Sequence, residues 1–227
     1  MKRKAIIVSV SGLKLSNKEK KLFKKEKPWG VILFKRNIEE IKQVKKLVYD
    51  IRKAMKDSKF PILIDEEGGS ISRLQKIINN QQFGQNYFGY LFDKDKELTL
   101  GLYKTYIDEI SKILNYIGIN INTVPVLDVA FKNTHSIILK RAYSSNINII
   151  RELGSICISR FKKNKILTVM KHIPGHGSSN LDSHLVLPVV KKTIKKLYNE
   201  DFKCFVNMNS DFAMTAHILF KNIDKIN

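Results

Sequence analysis

The sequence predicts an α/β fold: a parallel sheet with helices packed outside it. Three observations carry this. Six short Ile/Val-rich runs of strand length recur along the 227 residues, as expected of strands buried on both faces. Longer stretches between them place apolar residues at three- and four-residue spacing, the mark of amphipathic helices. No internal repeat, low-complexity tract or Pro/Ser linker breaks the alternation, so residues 1–227 read as one domain. A closed barrel of eight βα units usually takes about 250 residues. Six units therefore mean an open sheet, or a barrel whose chain stops before closure.

The elements follow in order. Ala5–Val10 succeeds the basic opening; it is too short for a signal-peptide core and is sized for a strand. Lys14–Lys27 is the most basic block, but Glu19 and Glu26 interrupt it, and it reads as a solvated helix face. Val31–Phe34 is the second strand. Ile38–Met55 is the clearest helix, with Ile41, Val44, Leu47, Val48 and Ile51 on one stripe. Ile62–Ile64 is the third strand. Thr99–Ile117 carries Leu100, Tyr103, Ile107, Ile110 and Leu114 on one helical face. Ile119–Val124 and Leu167–Met170 are strands on either side of a helix at Ile149–Lys162. A last helix at Ile194–Met208 leads to the strand Phe212–Thr215.

Composition excludes several classes. With 43% hydrophobic residues the chain can bury a core, which argues against wholesale disorder. No window approaches the roughly 18 apolar residues of a membrane span. Lys plus Arg number 41 against 21 Asp plus Glu, a net charge of +20. Such charge attracts phosphate. Yet the lysines are scattered, and no arginine-rich stripe, aromatic platform or zinc-finger spacing accompanies them, so neither nucleic acid nor membrane is an expected partner. Cys157 and Cys204 stand alone, without metal-ligand spacing or a disulfide framework, which suits a reducing cytoplasm.

Two clusters could carry chemistry, and each follows a strand. Asp65, Glu66 and Glu67 precede Gly68 and Gly69, with Arg73 eight residues past Asp65. The acids could simply cap the next helix. An Asp and an Arg near one mouth could instead grip the hydroxyls of a sugar or another polar ligand. The second cluster, Lys171–Gly177 with Leu181–His184, holds three of the five histidines. Loops after strands are where α/β enzymes place their sites. Metal binding is one chemistry open to this loop. Proton transfer is the other: Asp182 and His184, two apart, share a face in an extended segment, and an Asp against an imidazole raises its basicity and fixes its tautomer. No HExxH-like spacing supports the metal reading.

The stretches GVILFKRN (Gly30–Asn37), IDEEGGSISRL (Ile64–Leu74), GININTVPVLDV (Gly118–Val129), KHIPGHGSSNLDSHLVLPVV (Lys171–Val190) and MTAH (Met214–His217) fall in one order. In that order they resemble the catalytic barrel of glycoside hydrolase family three, in particular its bacterial cytoplasmic β-N-acetylglucosaminidases of peptidoglycan recycling. The resemblance implies a TIM-type (β/α)8 barrel, incomplete, with about six βα units. It implies hydrolysis of terminal β-linked N-acetylglucosamine from muropeptides by a retaining mechanism, without cofactor or metal. It further implies substrate contacts from Asp65, Arg73, Arg141, Lys171 and His172, and a catalytic acid/base dyad of His184 assisted by Asp182.

The departures set further expectations. Arg141 lies in a changed context, between Lys140 and Ala142, and Ser70 replaces a larger polar or basic residue. Family members continue past the MTAH strand to a Ser-Asp-Asp-like motif bearing the nucleophilic aspartate, whereas this sequence ends at Asn227. Asp128 and Asp211 offer no replacement. The resemblance thus implies a chain lacking the nucleophile, truncated or completed by a separate polypeptide, or else an inactive sugar-binding remnant. An unclosed barrel would expose strand edges and favour self-association.

Overall fold

A computed structural model describes residues 2–181 and 186–223. The elements run β1 (Lys4–Val8), α1 (Asn17–Glu26), β2 (Pro28–Leu33), α2 (Ile41–Met55), β3 (Ile62–Ile64), α3 (Gln85–Phe92), α4 (Lys96–Ile117) and β4 (Ile121–Asn122). They continue with α5 (Ser136–Leu139), α6 (Ile147–Lys163), β5 (Leu167–Ile173), β6 (Val189–Val190), α7 (Ile194–Asn199), β7 (Phe212–Thr215) and β8 (Leu219–Phe220). The sheet order is β1-β2-β3-β4-β5-β7, parallel at every pairing, while β6 and β8 form a separate parallel pair. This is six strands of a (β/α)8 barrel, curled but not closed among the described residues. All six expected strands and the three long helices are present.

Local sequence explains the elements. Ser16 and Glu19 make a capping box at the start of α1: the Glu19 N–H donates to the Ser16 hydroxyl, and the Glu19 carboxylate accepts from the Ser16 N–H at 2.8 Å. Only Phe23 of α1 is buried, which bears out the solvated face. The α2 stripe Val44, Leu47, Val48 and Ile51 is fully buried. Along β3, Ile62 and Ile64 join the main core while Leu63 points the other way. Leu63 packs with Ile121 and Val169, against Trp29, Ile32 and Met214, so a second apolar layer fills the inner face of the sheet.

Two expectations need correction. The helix Ile194–Met208 stops at Asn199, and Phe202–Cys204 is a single 3₁₀ turn. The backbone leaves the helical region at Glu200, and Asp201 beyond it is fully buried, accepting hydrogen bonds from the Ser178 backbone and hydroxyl. Strand β5 runs three residues beyond Met170, because Lys171 and Ile173 still pair with β7. At the outer strands apolar surface remains exposed, with Ile6 at 51% and Phe212 at 37%. No described helix is long and apolar enough to cross a membrane.

Candidate active site

Because every strand of the sheet is parallel, the residues that follow β3, β4, β5 and β7 gather at one end. In barrels of this type that end carries the chemistry. The first contribution is the acidic turn after β3. Gly68 has φ +79°, and a Cβ there would lie 2.3 Å from the Phe83 carbonyl oxygen, so only glycine lets the chain turn here. The turn sends its three acids in different directions, and none caps the next helix, which begins only at Gln85. Glu66 points back under the loop. It accepts the backbone N–H of Arg73 at 2.8 Å and of Leu74 at 3.0 Å, and the Asn80 amide at 2.7 Å. Asp65 and Glu67 point to the mouth.

There they enter a chain of alternating charge. Arg73 Nη2 donates to Asp65 Oδ2 at 3.1 Å, and Thr123 Oγ1 donates to Asp65 Oδ1. Lys171 Nζ lies 3.7 Å from Asp65 Oδ1, 3.0 Å from Thr123 Oγ1 and 2.5 Å from Glu67 Oε1. Arg141 grips Glu67 with two parallel bonds, Nε to Oε2 and Nη2 to Oε1, both 2.8 Å. The same Nη2 is 3.3 Å from His172 Nε2. A guanidinium only donates, so Nε2 accepts. His172 then carries its proton on Nδ1, which donates to Asp128 Oδ2 at 2.6 Å.

Asp128 is fully buried and holds the loop after β5 as well. Its Oδ1 accepts the backbone N–H of His176 at 2.7 Å and of His172 at 3.3 Å. Gly177 then passes so close to Val129 that a Cβ would lie 2.1 Å from the Val129 carbonyl oxygen. The peptide joining Lys171 to His172 is cis.

Electrostatics follows the partners. Burial alone would raise each of these carboxyls. At Glu67 the charges of Lys171 and Arg141 overcome burial and bring the pKa down to about 2. Burial at Asp65 is outweighed by the Lys171 ammonium, with Thr123 and Arg73 assisting, and the carboxyl sits below its ordinary value. Asp128 is likewise lowered, against burial, chiefly by His172. Glu66 has only neutral partners, and burial leaves it raised. His176 is pushed down by burial.

A cavity of about 230 Å³ opens beside this network. Arg141, His172 and His176 form one wall, and Met214–His217, at the end of β7, another. Of the five binding residues expected from sequence, Arg141 and His172 line the cavity. Asp65, Arg73 and Lys171 do not, but they join the same network by ion pairs, and Lys171 is only 2% exposed. Asp182 and His184 lie outside the described residues. Sequence reasoning did not single out Thr123 or the pairing of Glu67. The third acid ahead of a Gly-Gly turn, with Lys171 directly after the apolar run Leu167–Met170, was the available signal. Among the described residues no three His, Cys, Asp or Glu side chains converge as a metal site.

Comparison with known proteins points the same way. Residues 3–226 match the model of the glycosyl hydrolase family 3 N terminal domain. A β-hexosaminidase of Psychromonas ingrahamii is 30% identical over 96% of this chain and 64% of its own length. A β-hexosaminidase of Thioalkalivibrio sulfidiphilus is 27% identical over 97% of this chain and 63% of its own. The crystal structure of NagZ from Neisseria gonorrhoeae in complex with N-trifluoroacetyl-D-glucosamine superposes with a TM-score of 0.89. It is 26% identical, over 98% of this chain and 66% of that one. The chain thus spans about two thirds of the length of these relatives. With its family model matched almost end to end, the chain belongs to glycosyl hydrolase family 3, in that family's N-terminal domain.

Proposed function

We propose that residues 1–227 form one catalytic-barrel domain of a β-N-acetylhexosaminidase. The domain binds terminal β-linked N-acetylglucosamine of peptidoglycan fragments and belongs to a retaining hydrolase. The observation that carries this reading is the unbroken network Arg73–Asp65–Lys171–Glu67–Arg141–His172, set beside a cavity at the end of the parallel strands. Similarity to β-hexosaminidases supplies the sugar.

The roles follow from the geometry. Asp65, kept ionised, accepts hydrogen bonds from sugar hydroxyls, and Arg73 aims its carboxylate. Arg141 and His172 reach the cavity themselves, and His172 is held there in one tautomer between Arg141 and Asp128. Lys171 and Glu67 hold these groups rather than meeting the sugar first, because both are almost fully buried. His184, with Asp182, is the proposed acid/base. Free, buried Cys157 and Cys204 fit a cytoplasmic setting. The exposed outer strands β1 and β7 fit self-association.

A retaining route also needs a carboxylate nucleophile. Asp65, Glu67 and Asp128 are committed to cations or to a histidine. Asp211 accepts the Thr168 N–H at 3.0 Å, at the opposite end of β7. None of these is poised for attack. The 227-residue chain should therefore bind N-acetylglucosamine yet leave 4-nitrophenyl N-acetyl-β-glucosaminide intact. Robust release of nitrophenol would place the nucleophile among these acids and overturn this assignment. Failure to bind the sugar would overturn the site itself.

A further inference from the structure

A separate groove lies at the other end of the sheet. Helix α2 ends at Met55, ahead of β3, and α4 ends at Ile117, ahead of β4. Their last turns therefore meet where the strands begin, opposite the mouth. The groove between them holds about 620 Å³, within the range of about 300–1,000 Å³ common for small-molecule sites. It shares no lining residue with the mouth cavity.

Its charge is one-sided. Lys45, Arg52, Lys53 and Lys56 line it against a single acid, Asp57. That acid is already engaged, by Arg3 and by the Lys59 N–H at 2.8 Å. Part of the excess has an ordinary cause, since cations suit the last turn of a helix and the chain carries +20. Two observations go further. The chain has seven arginines, and six of them donate a hydrogen bond to a protein oxygen. Arg52 donates none among the described residues, although its Nε is buried. Burial, opposed only by the charge of Asp57, pulls its pKa below the ordinary value. A buried N–H without an acceptor is unfavourable, and a guanidinium fork matches the paired oxygens of a phosphate. The second observation is Lys45. It stands in the first half of α2, away from the last turn, and its ammonium sits 3.7 Å from the centre of the Tyr116 ring, which holds it at the groove.

Four cations against one engaged acid suit a phosphate dianion better than a single carboxylate. The hydroxyls of Tyr49, Ser58 and Tyr116 also line the groove, and they can pair with hydroxyls of a ligand. We propose that the groove between α2 and α4 binds a phosphorylated sugar or polyol, with its phosphate on Arg52 and Lys45. The site is independent of the function proposed for the mouth.

The test is calorimetric titration of the full chain with ribose 5-phosphate, ribose and inorganic phosphate. The wild type should bind ribose 5-phosphate at least tenfold tighter than either of the other two. Arg52→Gln should weaken that binding at least tenfold, and Lys45→Gln, an exposed change, about threefold. Lys104→Gln, an exposed lysine of α4 outside the groove, should leave it unchanged, and all three variants should keep the wild-type thermal midpoint. No binding of ribose 5-phosphate, or full affinity in both groove variants, would overturn the site. Equal losses in Lys104→Gln and Arg52→Gln would overturn it too, by assigning the attraction to diffuse charge. Inorganic phosphate binding as tightly as the ester would overturn the sugar or polyol part of the assignment.

Discussion

Glu66 and Glu67 are adjacent in the chain and nearly equally buried, at 3% and 5% exposed, yet their pKa values are displaced in opposite directions. Glu66 faces the loop, where backbone N–H groups and an amide satisfy its oxygens without offering charge. Burial therefore prevails, and its pKa rises. Glu67 faces the mouth, where Lys171 and Arg141 hold it as an anion. Within one turn, partner charge and not depth in the protein decides the direction. The loop side is a staple, joining the turn to Arg73, Leu74 and Asn80. The mouth side is an electrostatic scaffold that positions Asp65, Arg141 and His172.

The comparison can be broken most directly at Glu67. Its removal leaves Lys171 and Arg141 buried and short of a counter-charge, and breaking such a pair costs about 3–5 kcal/mol. Urea denaturation of Glu67→Ala should show a loss of that size, and an unchanged midpoint would refute the scaffold. Acid titration addresses the same carboxylate. A folded pKa of about 2 against an ordinary 4.5 means its contribution is complete above about pH 5 and fades as pH falls toward 2. The shift corresponds to about 3 kcal/mol. The wild type should therefore lose stability over that interval, while Glu67→Gln, already lacking the charge, should lose less. Parallel curves would contradict the assignment. Glu66→Gln should be the mildest change. The charge it removes is one that burial disfavours, and an amide oxygen can still accept from Arg73 and Leu74, so neutral-pH stability should move by about 1 kcal/mol or less. A loss as large as that at Glu67 would erase the distinction between the two sides.

How far the sequence revealed this varied by element. The six strands are legible because each is a short apolar run, and parallel strands buried on both faces leave no other pattern. Their ends are less legible. Strand β5 continues through Lys171 because that side chain is neutralised inside the protein by Glu67, a partner more than one hundred positions away. Helix α3, Gln85–Phe92, escaped because it is short and rich in aromatics and contains Gly89. That glycine is needed where a Cβ would lie 1.7 Å from the Tyr143 carbonyl oxygen. At the site, Asp65, Arg73, Arg141, Lys171 and His172 were legible as residues, and the structure joins them in one network. Which acid each cation holds was not legible, because it depends on strand register: β3 pairs Ile64 with Asn122, which brings Thr123 beside Asp65.

The central claim is that this scaffold holds Asp65 as an ionised acceptor for a sugar. Hydrogen bonds to a charged group are worth about 1.5–3 kcal/mol, equivalent to roughly tenfold or more in affinity. Calorimetric titration of N-acetylglucosamine into the wild type and into Asp65→Ala tests this, with the thermal midpoint of each protein recorded alongside. The account predicts measurable binding by the wild type and at least tenfold weaker binding by a variant that remains folded. Equal affinity in the two proteins would contradict it.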